Sequence, residues 1–208
     1  MADMPIQNTP PLDGYLREQL APRFRALVTA TAEKVATAQH ELDELRAATG
    51  TMLWEVTGPS LPVSCYVNIA GGEMKVENHP LAEPFMTVSQ SEADWARFTA
   101  GVAQTSFLSG QSRRPFGRSR IDRMRSVKGA LRFVLTGLPD DGGTWTFTLY
   151  FGSGPRPTEP QATVTVPADL VPQIQSGQLD PQVAFMQGQV KVSGDIGLVM
   201  QFGMALFL

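Results

Sequence analysis

The chain has 208 residues, 42% of them hydrophobic and 18% charged, with a formal net charge of −3. This composition describes an ordinary globular protein able to bury a substantial core, and its mild acidity gives no footing for nucleic acid. The one cysteine, Cys65, has no partner for an internal disulfide, and the polar, proline-bearing start does not resemble a secretion signal, so the expected location is cytoplasmic.

Residues 1–12 read as a flexible arm. From about Asp13 to Ala48, Leu20, Phe24, Leu27, Val28, Val35, Ala38, Leu42 and Leu45 recur at threes and fours, which predicts a helix that Gly50 stops. Pro22 can break off a first short turn. Phe24, Val28, Thr31, Val35, Ala38, Leu42 and Leu45 come close to a heptad seam, which allows a homodimer; the alternative is a helix laid on the chain's own sheet.

After Gly50 the period changes to two, and MLWEVTG, PVSCYVNIAGG, EMKVEN and FMTVSQ predict four strands. SEADWARFTAG predicts a helix with Ser91 as N-cap, Trp95 and Phe98 on its buried face, and Gly101 as its stop. The same order then recurs: GALRFVLTGL, TWTFTLYFG and ATVTV as strands, and ADLVPQIQSG as a helix stopped by Gly177.

The two passes align as a repeat. Glu83-Pro84-Phe85-Met86-Thr87-Val88 matches Glu159-Pro160-Gln161-Ala162-Thr163-Val164; Trp54 falls beside Phe133, Tyr66 beside Trp145, and Phe107 to Gly110 echoes Phe185 to Gly188. The copies then diverge. After Gly188 the chain stays apolar, whereas Arg113 to Lys128 holds seven basic residues against the single acid Asp122. Arg113, Arg114, Arg118 and Arg120 could hold an anionic group of a membrane surface, a cofactor tail or a carrier protein. The competing reading is a solvated connector between copies.

Groups for chemistry are sparse. His40 and His79 lack neighbours at metal-ligand spacing, and no nucleophile elbow, phosphate loop or dinucleotide fingerprint occurs, so no metal, cofactor or catalytic residue is assigned. Cys65 sits in mid-strand as a structural thiol. Glu92, Asp94 and Asp169 fall at helix starts, where capping accounts for them.

The segment LVPQIQSGQLDPQVAFMQGQVKVSGDIGLVMQF is the most distinctive. Gly177, Asp180-Pro181, Phe185, Gly188, Lys191, Gly194-Asp195 and Gly197 together resemble the end of the sterol carrier protein 2 family, and the resemblance extends back to about residue 127. Residues 50–126 resemble it more faintly, without the Asp-Pro pair or the Gly-Asp turn. The resemblance implies an α+β fold, a twisted, mainly antiparallel sheet with helices on one face, and an apolar tunnel for a lipid. It implies no catalytic residues.

The expected organisation is thus an N-terminal arm and helix (1–49), a first degenerate unit (50–126) and a second unit (127–208), packed as one body. The expected function is to bind and carry an apolar small molecule, such as a fatty acyl chain, a sterol-like polycycle or a polyketide intermediate. Leu170, Ile174, Phe185, Met186, Val190, Val192, Leu198 and Met200 would line the site in the second unit, with Trp54, Trp95 and Phe98 as the parallel set in the first. The alternatives are a cavity-based isomerase, cyclase or dehydratase, and an accessory scaffold of a biosynthetic pathway.

Overall fold

The structure is a computed structural model that describes residues 16–59, 61–100, 117–139 and 142–207. The chain divides into two units, Met1–Asp43 and Glu44–Leu208. The first contributes most of helix α1 (Ala21–Ala47), preceded by a turn of π-helix at Leu16–Leu20. The expected helix is therefore present, and Pro22 lies in its first turn, where its missing N–H costs nothing. The apolar stripe of α1 is exposed, including Phe24, Leu27, Val28 and Val35.

The described residues of the second unit form eight strands and five further helices. The strands are β1 (Gly50–Gly58), β2 (Leu61–Ala70), β3 (Glu73–Glu77), β4 (Met86–Ser91), β5 (Gly129–Thr136), β6 (Thr144–Phe151), β7 (Ala162–Pro167) and β8 (Lys191–Gly194). The helices are α2 (Glu92–Thr99), α3 (Arg118–Ser126), α4 (Val171–Gln175, after a 3-10 turn at Ala168–Leu170), α5 (Pro181–Met186) and α6 (Ile196–Phe207). All the strands form one open sheet in the order β3-β2-β1-β4-β6-β5-β7-β8. Only β1–β4 and β5–β7 pair in parallel.

Within this order the triplet β2-β1-β4 is followed by the triplet β6-β5-β7. Each is an antiparallel hairpin whose first strand takes a parallel return strand on its other edge. In these parallel registers Trp54 pairs with Val88, and Phe133 pairs with Val164. Tyr66 and Trp145 do not correspond. Tyr66 pairs with Leu53 and Trp145 with Leu135, and strand alternation puts them on opposite faces of the sheet.

One face of the sheet is apolar across its width. It carries Val67 and Ile69 of β2, Met52, Trp54 and Val56 of β1, Met86 and Val88 of β4, then Trp145, Phe147, Leu149 and Phe151 of β6. It continues through Leu131, Phe133 and Leu135 of β5 to Ala162 and Val164 of β7. The other face carries Thr51, Thr87, Thr146, Thr148, Thr163 and Thr165. Such alternation fixes the register, because a slip of one residue would expose the whole apolar set.

The basic segment differs from a solvated connector. Residues 118–126 form α3, and Arg120, Ile121 and Met124 are buried. Ile121, Met124 and Val127 lie at helical spacing, and each has 0% exposure, so apolar burial fixes the helix despite its charge. Glu44 caps it from outside: Ser119 N–H donates to Glu44 Oε2 at 2.8 Å. A carboxylate there offsets the positive end of the helix dipole.

Candidate functional site

The short helices roof the apolar face, and their ends are set by local chemistry. Asp180 Oδ1 accepts from Gln182 N–H at 2.7 Å and Val183 N–H at 3.2 Å, and Pro181 opens α5. Gly188 leaves α5 with φ +72, a conformation that favours glycine, and its N–H donates to the Phe185 carbonyl. Asp195 Oδ1 accepts from Leu198 N–H at 3.0 Å and so caps α6. Gly194 must be glycine on two counts: its φ is +86, and a Cβ would stand 2.2 Å from the Gln161 carbonyl oxygen.

Beneath this roof, Val164, Ala184 and Val190 form a small apolar cluster distinct from the main core. Phe133, Val166, Leu179, Val192 and Val199 pack around it. Among the residues expected to line a site here, Leu170, Val190 and Leu198 are buried, while Ile174 and Val192 are half-buried. Phe185, Met186 and Met200 are exposed, Met186 by 84%. In α5 it is Ala184 that turns inward, so its neighbours Phe185 and Met186 face outward. With Val183, Ile196 and Met204 they are the exposed large apolar side chains of α5 and α6.

In the first half, Trp54, Trp95 and Phe98 do meet. Their ring centroids stand 5.6–6.2 Å apart. The contact continues from Phe98 to Trp145 (5.8 Å), Phe147 (4.6 Å), Phe133 (5.0 Å), Phe202 (5.5 Å) and Phe151 (5.5 Å). A chain of aromatic rings therefore joins the apolar interiors of both halves. Helix α2 is fixed above it by Asp94. Its backbone carbonyl accepts from Trp145 Nε1–H at 3.1 Å, and its Oδ1 accepts from Thr146 N–H at 2.9 Å. Ser91 Oγ donates to Asp94 Oδ2 at 2.5 Å and accepts from Asp94 N–H at 3.0 Å. Sequence reasoning missed Trp145 as a member of this wall, although its place opposite Leu135 in a predicted hairpin puts it on the apolar face.

Two of the four arginines considered for an anion lie in the described chain. Arg118 stands 3.6 Å from Glu44, and Arg120 is buried. Arg113 and Arg114 lie outside the described residues, as does the Phe107 to Gly110 echo. His79 sits in a loop held through its backbone: Asn68 Nδ2 donates to the His79 carbonyl at 3.1 Å, and Leu81 N–H donates to Asn68 Oδ1 at 2.9 Å. A shallow, open depression bordered by Ala30, Glu33, Lys34, Thr37, Ala38 and Glu41 has all of these residues on α1 and offers no enclosure for an apolar guest.

Among the described residues, the buried polar side chains are Thr51, Asn68, Thr87, Gln90, Arg120 and Thr148. Among the described residues, no group of three His, Cys, Asp or Glu could hold a metal ion, and no helix is long and apolar enough to cross a membrane. The arrangement is that of an α+β protein organised around an extended apolar interior under short helices. Residues 117–207 match the model of the SCP-2 sterol transfer family.

The chain is also similar to curated proteins and solved structures. Hydroxysteroid dehydrogenase-like protein 2 of Xenopus tropicalis is 27% identical over 85 residues, and that of Xenopus laevis is equally so. The match takes in 38% of this chain but spans only 20% of those proteins. Among solved structures, sterol carrier protein domain 2 of Helicoverpa armigera is 28% identical and covers 38% of this chain and 65% of its own, with a TM-score of 0.30. The palmitated sterol carrier protein 2-like 2 of Aedes aegypti is 18% identical over 57% of this chain and 96% of its own, with a TM-score of 0.32.

Proposed function

We propose that the C-terminal half binds and carries an apolar small molecule of the lipid or sterol class, without converting it. The observation that carries this reading is the apolar cluster of Val164 in β7, Ala184 in α5 and Val190 just before β8, which Phe133 and Val199 join to the main core. The match of residues 117–207 to the model of the SCP-2 sterol transfer family supports it. Binding would be driven by burial of apolar area at about 25 cal/mol per Å². The exposed Val183, Phe185, Met186, Ile196, Met200 and Met204 of α5 and α6 suit contact with an apolar surface from which a guest is taken up.

The sheet order supports a duplicated unit as its framework, with copies at 50–126 and 127–208. Besides the matching strand triplets, Ile121, Met124 and Val127 at α3 stand at a constant offset of 78 from Val199, Phe202 and Ala205 of α6. The family match begins earlier, at residue 117, so α3 belongs to both descriptions.

Native mass spectrometry of protein purified from lipid-containing cells tests the function. The expected result is a co-purified apolar guest, removable by organic extraction and replaceable by a long-chain fatty acid. Protein that emerges empty and takes up no fatty acid afterwards would remove the carrier reading.

A further inference from the structure

We propose that the first half of the sheet holds a second binding site, for an apolar molecule with one uncharged hydroxyl or carbonyl group, whose polar end is held by Trp54 and Gln90.

Gln90 of β4 lies on the apolar face, because it pairs with the buried Val56 of β1. Trp54 is on the same face, one step along β1, paired with Val88. Side chains in that diagonal relation are within about 8 Å of each other. Gln90 is only 4% exposed. Its Oε1 and Nε2 and the Nε1 of Trp54 are buried without a hydrogen-bond partner among the described residues. A buried polar group left unpaired is destabilising, and tryptophan N–H groups usually find an acceptor when buried. Trp145 shows the satisfied alternative, donating to the Asp94 carbonyl.

The corresponding positions of the second half are apolar. Phe133 stands where Trp54 stands, paired with Val164, and Val166 stands where Gln90 stands, paired with Leu135. The polar pair is thus an addition specific to the first half, set into the same sheet geometry. Its approach is apolar: Trp95 of α2 meets Trp54 edge-on, and Phe98 packs against it at a tilt. On the same sheet face, Val63 of β2 and Val76 of β3 are 47% and 67% exposed. An open apolar strip therefore leads from the edge of the sheet to the aromatic wall.

The acidic side chains of α2 are turned to other tasks. Asp94 binds Ser91 and Thr146, and Glu92 lies against Gly58. Arg97 donates to the Thr144 carbonyl. A charged head group would be buried here without a counter-ion, at a large desolvation cost, so the head group is uncharged. A hydroxyl can accept from Trp54 Nε1–H and donate to Gln90 Oε1; a carbonyl can accept from Trp54 Nε1–H and Gln90 Nε2–H.

The test is solution NMR on the delipidated full chain, titrated at pH 8 with dodecan-1-ol, its aldehyde dodecanal, or dodecanoate. The alcohol or the aldehyde should shift the Trp54 indole N–H and the Gln90 carboxamide saturably, whereas dodecanoate should leave both in place. Gln90→Leu, which suits an apolar position, and Trp54→Phe, which keeps the ring but removes the N–H, should each weaken binding of the responding probe about tenfold. Trp54 and Gln90 signals that stay fixed at saturating alcohol and aldehyde would overturn the proposal. So would variants that bind as tightly as the parent. Methyl signals of Val164 and Val190 report the C-terminal half independently, so their response to dodecanoate would leave the carrier function standing while this site fails.

Discussion

At the scale of single residues, a few polar contacts fix the helices over the apolar face. Asp94 is the most connected of them, since it joins its own N-cap serine to β6 through side chain and backbone. Asp94→Ala should cost about 1–3 kcal/mol, read as a lower denaturation midpoint. Asp94→Asn keeps an acceptor for Thr146 N–H and should lose less. Gly194→Ala should cost at least as much, because it combines a left-handed backbone with a steric collision against Gln161; a thermal melt of the variant reads it directly. Asp180, Asp195, Gly188 and Gly194 take cap and turn positions that their residue types signal locally, with no need of tertiary context. Sequence could not show which way Phe185 and Met186 face. Helix α5 is six residues long, and a single inward position, taken by Ala184, decides the matter.

At the scale of elements, the strands were legible from their period of two, and the N-terminal helix from its period of threes and fours. Helix α3 was not, because basic residues dominate its composition and mask a pattern of three apolar residues, Ile121, Met124 and Val127. Tertiary burial outweighed local composition there. Met124→Ala should therefore cost about 2–5 kcal/mol despite lying in the most basic stretch of the chain. Urea denaturation measures it, and a change below about 0.5 kcal/mol, as expected of a surface position, would show that the helix is peripheral. The buried Arg120 and the ion pair of Arg118 with Glu44 give the described part of this segment a structural part to play.

At the scale of the whole molecule, β4 and β6 pair antiparallel through Met86↔Phe151 to Ser89↔Thr148, which fuses the two strand triplets into a single sheet. The aromatic chain from Trp95 to Phe151 crosses that seam. The sequence offers EPFMTV and EPQATV as matching segments, and both lead into strands that pair in parallel with the first strand of a triplet, but the side-by-side order of the triplets depends on pairing between distant segments. The two halves differ in one chemical respect that their common geometry makes visible: Trp54 and Gln90 in the first stand where Phe133 and Val166 stand in the second.

The central claim is that the C-terminal half binds an apolar guest. Titration of the delipidated full chain with a fluorescent polyene fatty acid tests it most directly. The account predicts a saturable rise in emission near one equivalent, reversed by competing palmitate. Emission that grows linearly without saturation, unaffected by palmitate, would contradict it.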